Sequence, residues 1–164
     1  MRTIQGKTVV LGDDIHANRI IPVKRCTTTD EKELGRYCFE NEDPKPSLQG
    51  KILVAGDHFG IGSVRDHATL ALKGAGVKAI IAKSFASAFF RNAINNGLPV
   101  FQSEEAAAVI KTDAEISIDT KARQIKNNTT GADYTFHNVP EFVTRIRDAG
   151  GIQASFQSLI QKES

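Results

Sequence analysis

The chain has 164 residues, a 40% hydrophobic and 24% charged composition, and a formal net charge of +2. These values fit one soluble globular domain, residues 1–164, that buries a core without disulfide or metal staples. They make no electrostatic case for nucleic acid or an anionic membrane surface, and no apolar run approaches membrane-spanning length. Eleven residues separate Cys26 from Cys38, which is neither a disulfide framework nor a zinc or iron–sulfur spacing. Two reduced thiols, and no apolar signal-peptide core in residues 1–10, point to the cytoplasm.

Lys7-Thr8-Val9-Val10-Leu11 reads as a short strand ended by Gly12-Asp13-Asp14. Residues 15–29 lack a helical period and contain Pro22, which predicts an extended loop. Residues 30–40 fit a helix with Asp30 as N-cap and Glu33 as its partner three residues on. Residues 41–50 are a polar connector carrying Pro44 and Pro46. The apolar run 51–56 suits a buried strand of a mostly parallel sheet. A glycine-punctuated loop, 57–62, follows. Ser63 can then cap a helix with Ala68, Ala71, Leu72 and Ala75 as its core stripe.

Residues 77–82 and 98–101 read as further buried strands. Between them Phe85, Phe89, Ala93 and Ile94 form a helical stripe closed by Gly97. Ser103 with Glu105 opens a short helix through Ile110. Residues 115–119 and 134–137 alternate like strands of a two-sided sheet, with a polar turn at 127–131. Asn138 and Pro140 start a last amphipathic helix with Phe142, Val143 and Ile146 inward, and 152–160 add a terminal helix. The middle therefore reads strand–loop–helix–strand–helix–strand. That is a right-handed α/β unit with a ligand-competent edge at the carboxyl ends of its strands.

The strongest chemical signal is the loop that runs into the helix expected at Ser63. Gly60 and Gly62 permit tight turning and close approach to a ligand. A helix start offers N–H groups and a dipole that favour an anion. Arg65 opposes that dipole in the first turn, a placement easier to understand if it faces a carboxylate. Residue types alone leave Ser63 as a plain N-cap and Arg65 as a solvated side chain equally open. The loop is neither a dinucleotide fingerprint nor a Walker loop. His58, His67, His16 and His137 read mostly as structural, with His67 packed on its own helix. Asp13 and Asp14 suit turn chemistry or the orienting of an arginine.

Gly56 and Phe59-Gly60-Ile61-Gly62-Ser63-Val64-Arg65-Asp66-His67 resemble the pattern N/H-F/Y-G-x-G-S-S-R-E/D-H. That pattern belongs to the swivelling domain of aconitases and isopropylmalate dehydratase small subunits. The segments 79–86 and 89–99, the opening Gly12-Asp13-Asp14-Ile15 with Ile20-Ile21-Pro22, and the closing Gly150-Gly151-Ile152 match the same family in order. The resemblance implies a three-layer β/β/α swivelling domain. It also implies a separate large subunit carrying a 4Fe–4S cluster on three cysteines, with no metal on this chain.

The implied reaction moves a hydroxyl between neighbouring carbons of a hydroxy-di- or tricarboxylate by dehydration and rehydration. Isopropylmalate, in leucine biosynthesis, is the foremost substrate. Ser63 is then the base, acting as an alkoxide, and Arg65 grips a substrate carboxylate and stabilises that alkoxide. Gly62 and Val64 lie at the backbone N–H groups of the site. Lys24, Arg25 and Thr27 belong to the loop that reads the substrate's side group. Asn18 lies close to the substrate site. Two departures stand out. Val64 replaces a second serine, and Asn18 replaces the last aspartate of a D-x-D-T-D opening. They raise the alternatives of a paralogue for homocitrate or homoaconitate, citramalate or dimethylmalate, and of a non-catalytic regulatory or binding subunit.

Overall fold

The computed structural model describes residues 3–62 and 65–163. Seven strands form one mixed sheet in the order β4-β3-β2-β1-β5-β6-β7. β1 (Thr3–Val10), β2 (Ile52–Ala55), β3 (Ala79–Ala82) and β4 (Val100–Gln102) are parallel neighbours. β5 (Glu115–Asp119), β6 (Gln124–Asn127) and β7 (Asp133–Thr135) continue antiparallel from the other edge of β1. The apolar runs of β2 and β3 are buried along their whole length, as strands covered on both faces must be.

Alternation along those strands splits the core in two. Leu53, Ala55, Ile80 and Ala82 face α1 (Ala17–Ile20), α2 (Glu31–Arg36), α3 (His67–Gly74) and α4 (Ser87–Asn95), meeting Ile20, Leu34, Leu72 and Phe89. Ile52, Val54, Ala79 and Ile81 face the other way. They meet Ile116 and Ile118 of β5, Ile125 of β6, Phe136, and Ala106 of α5 (Glu104–Val109). The sheet therefore curls its antiparallel half over one face of the parallel half while helices cover the opposite face. This is the expected β/β/α arrangement.

Several elements differ from the expectation. β1 starts at Thr3, because Thr3 to Lys7 pair with β5 although Ile4 is the only large apolar residue among them. Residues 15–29 contain α1 and a short 3-10 turn, Val23–Arg25. α2 stops at Arg36, capped at its start by Asp30 Oδ1, which accepts from the Glu33 N–H at 2.9 Å. β6 is an additional strand in which Ile125 alone supplies a large apolar side chain. Phe85 precedes α4 and stacks on Phe89, with ring centroids 6.2 Å apart.

α6 (Glu141–Ala149) turns a different face inward from the one expected. Phe142 is 58% exposed. Val143 and Ile146 still pack against the helix-side core. Arg147 is buried, its guanidinium 5.0 Å from the ring centre of Phe101 and its Nε donating to Asp148 at 3.1 Å. Stacking on Phe101 lets a cation occupy a position that the apolar count assigned elsewhere. α7 (Ile152–Glu163) completes the chain. No helix among the described residues is long and apolar enough to cross a membrane.

α2 and α3 approach each other through glycine. A Cβ on Gly35 would lie 2.3 Å from the Gly74 carbonyl carbon, and one on Gly74 would lie 1.7 Å from the Glu31 carbonyl oxygen. Gly35→Ala is expected to cost about 1–3 kcal/mol by forcing the two helices apart. Urea unfolding measures this; an unchanged midpoint would show that the helices are not held at that distance.

Candidate functional site at the carboxyl ends of the strands

Pairing between the β1 and β2 segments does not stop where the strands stop. Leu11 N–H donates to Val54 O at 2.7 Å and Gly56 N–H to Gly12 O at 3.2 Å. Asp14 N–H then donates to Asp57 O, Gly60 N–H to Ile15 O and Ala17 N–H to Ile61 O, each at 2.8 Å. The segment after β3 holds the loop from its other side. Phe59 N–H donates to Ser84 O at 3.1 Å, and His58 N–H donates to Ser84 Oγ at 2.8 Å. The glycine-rich loop is thus laced between two strand ends, at the edge where open α/β sheets bind ligands.

Side chains reinforce the lacing. Asp13 Oδ1 accepts from the Asp57 N–H at 2.8 Å and fills the space that a Gly56 Cβ would need. Asp14 and His58 both have left-handed backbones, φ 54° and 59°, and His58 Nδ1 lies 2.8 Å from Asp14 Oδ1. Gly60 and Gly62 also have positive φ, 86° and 89°. A Cβ on Gly60 would lie 2.2 Å from the Phe89 ring, and one on Gly62 would lie 2.1 Å from His16 Nε2. The close approach that these glycines permit is to the protein's own rings.

Ser63 and Val64 lie outside the described residues. The helix expected to open at Ser63 begins instead at His67, with Asp66 as its N-cap and Arg65 exposed in a bend before it. Arg65 is therefore ahead of the helix rather than in its first turn, and its charge does not oppose the dipole from within that turn. His67 has its Nδ1 buried without a hydrogen-bond partner among the described residues.

The loop after α1 comes to the same edge. Partial burial raises the Cys26 thiol above its ordinary pKa, and the charge of Arg65 pulls it the other way, so Arg65 and Cys26 are close enough to interact. Lys24 and Thr27 are exposed beside it. Arg25 is engaged with protein: its Nε and one terminal amino group donate to the two Glu40 carboxylate oxygens, both at 2.9 Å, and the guanidinium sits 3.7 Å from the Tyr37 ring centre. Asn18 is exposed in α1, and its N–H donates to His16 Nδ1 at 3.1 Å. The structure therefore gathers Gly62, Arg65, Asn18 and the 24–27 loop at one edge and occupies Arg25 elsewhere within that loop.

Holding the loop falls to His16, Asp13 and Ser84. Residue types left His16 as mostly structural and Asp13 as turn chemistry, and gave Ser84 no role of its own; the pairing across the strand ends shows what each does. His137, which has no partner apparent in the sequence, meets Glu104 at 2.7 Å, away from this edge. Two open clefts, about 370 Å³ beside Lys121, Arg123, His137 and Arg147 and about 480 Å³ between α6 and α7, do not include loop residues.

Residues 12–105 match the model of the aconitase C-terminal domain family. The chain belongs to that family. The matched span holds the strand ends, the laced loop and the 24–27 segment. The chain is 47% identical over 152 residues to the 3-isopropylmalate dehydratase small subunit of Moorella thermoacetica, covering 91% of this chain and 92% of that protein. It is 42% identical over 161 residues to the protein of the same name from Sulfurimonas denitrificans, covering 96% of each. The crystal structure of 3-isopropylmalate dehydratase from Methanocaldococcus jannaschii aligns over 99% of both chains, with a TM-score of 0.88 and 34% identity.

The Arg25–Glu40 contact has a definite pH dependence. Hydrogen bonds from Arg25 hold Glu40 below the usual carboxylate range, against partial desolvation. A depressed carboxyl stabilises the fold above its unfolded pKa, about 4.3, and that contribution is lost as pH falls through the folded value. The Arg25 Hε resonance should report an intact contact at pH 6 that persists below the unfolded carboxyl pKa, about 4.3, and opens only at lower pH. A contact already open at pH 6, or one that opens above the unfolded carboxyl pKa of about 4.3, would contradict the pairing.

Proposed function

We propose that the chain is the small subunit of a two-subunit hydro-lyase. It isomerises a 2-hydroxy dicarboxylate by dehydration and rehydration, with 3-isopropylmalate as substrate. The observation that carries this reading is the near full-length likeness to 3-isopropylmalate dehydratase small subunits. Together with it stands a laced glycine-rich loop that leads directly into Ser63 and Arg65. The chain acts as one swivel-type domain, in the cytoplasm, as part of leucine biosynthesis.

In this reading Ser63, as an alkoxide, takes the carbon-bound proton. Arg65 binds a substrate carboxylate and stabilises the alkoxide; its guanidinium stays charged throughout and suits two-point carboxylate recognition. Backbone N–H groups at Gly62 and Val64 supply further donors to developing negative charge. Lys24 and Thr27 face the substrate's side group, Arg25 shapes their loop through Glu40 and Tyr37, and Asn18 lies close to the substrate. The edge is open in the single chain, which suits a pocket completed by a second subunit.

The chain's own thiols do not fit a cluster site. Burial pushes the Cys38 thiol up to about 12, away from the thiolate that metals require, and no group of three or more metal-capable side chains occurs among the described residues. The 4Fe–4S cluster that the family resemblance implies is assigned to the large subunit, and this chain's cysteines take no part in the reaction.

Val64 and Asn18 favour a second reading within the same class. A serine hydroxyl and a carboxylate are absent where the family pattern has them. Each change removes a polar partner for substrate, which shifts preference toward citramalate, dimethylmalate or homoaconitate. In the assembled enzyme, turnover of 3-isopropylmalate should exceed that of each of these acids; a preference for another acid moves the assignment to that substrate. Ser63→Ala should lower kcat by about 10²- to 10⁴-fold, the range for removing a general base. Full activity in that variant would remove Ser63 from the chemistry.

A further inference from the structure

His16 touches both halves of the lacing. Its Nδ1 accepts the Asn18 N–H at 3.1 Å and so caps α1. The residues on either side of it are bonded to the glycine-rich loop, Ile15 through its carbonyl to Gly60 and Ala17 through its N–H to Ile61. An imidazole nitrogen that accepts an N–H carries no proton, so the neutral ring holds its proton on Nε2. That Nε2 edge occupies the space over Gly62. A Cβ there would lie 2.1 Å from Nε2 and 2.2 Å from Cε1. Gly62 has φ 89° and is followed directly by Ser63.

Capping alone does not call for this side chain. Aspartate or asparagine caps a helix as well or better and is shorter. What histidine adds is reach: the acceptor stays at α1 while the far edge of the ring closes on the loop.

We propose that His16 is the positioning residue of the reaction loop. It is an Nε2–H imidazole that packs over Gly62 from the start of α1 and thereby fixes the backbone at the residue that precedes the proposed base in sequence. The inference rests on reading residues 60–65 as the reaction loop. It assigns His16 no contact with substrate. It predicts that the ring, more than its capping nitrogen, governs the rate.

Three variants of the assembled two-subunit enzyme test this. His16→Asn keeps an acceptor for the Asn18 N–H and removes the ring from Gly62; His16→Ala removes both; Gly62→Ala drives a Cβ into the ring. All three should lower kcat by about 10- to 100-fold, the scale of an ångström-level misplacement, with KM within roughly threefold of the parent. Wild-type kcat in folded His16→Asn would overturn the proposal and leave His16 as a cap. A second measurement needs no turnover. Long-range ¹H–¹⁵N spectra of the full chain at neutral pH should show Nδ1 bare and Nε2 protonated; a proton on Nδ1 would overturn it. Absence of turnover of any hydroxy-dicarboxylate by the parent enzyme would sink the functional reading, and the ring spectrum would still decide the placement of His16.

Discussion

The backbone pairing that runs past the carboxyl ends of β1 and β2 is the constraint on which the site depends. A loop rich in glycine is costly to order, since glycine loses more conformational freedom on folding than any other residue. Here Ile15, Ala17, Asp57 and Ser84 supply partners to the loop and its flanks, so few of its backbone groups are left to find water. Each such bond contributes only about 1 kcal/mol net, but together they fix one path for the chain. Left-handed backbones at Asp14 and His58 cost of order 1–2 kcal/mol each. Their side chains meet each other at 2.8 Å, which ties the two strained positions together.

The lacing works because the strand ends beneath it are rigid. Leu53 and Ile80 pack among helices on one side, and Val54 and Ile81 pack among the antiparallel strands on the other. A sheet filled on both faces has little freedom to shear, so its carboxyl edge is a fixed platform. The residues left at that edge are those the core cannot use: Asp13, Asp14, His16, Asp57, His58 and Arg65. The chemistry is placed where packing ends.

Legibility in the sequence followed the strength of the local pattern. β2 and β3 are uninterrupted apolar runs and could be located to within a residue or two. Asp30 and Ser103 announce their helices because a short polar side chain before a helical stripe has one common use. β6 offered only Ile125, because its pairing energy comes from the backbone ladder and neighbouring strands rather than from its own side chains. Arg147 was hidden because a buried arginine needs partners, Phe101 and Phe136, that lie far away in sequence. Phe142 misled for the converse reason: on α6 the inward face is set by where the helix meets the sheet, which a single-helix pattern does not contain. At the site, the glycine-rich loop was plain from its composition. The clamp from His16 was not, because two segments more than forty residues apart had to be aligned first.

The division of labour proposed above gives these features one purpose. On the proposed reading, the chain brings a base and a carboxylate clamp on a stiff edge, and a partner brings the cluster and closes the pocket. The most direct measurement is turnover of 3-isopropylmalate as this chain is titrated into a cluster-loaded large subunit. Neither component alone should turn over substrate, and activity should rise with added chain to a plateau. Turnover by either subunit in isolation, or none of any hydroxy-dicarboxylate at any ratio despite a stable complex, would contradict the assignment.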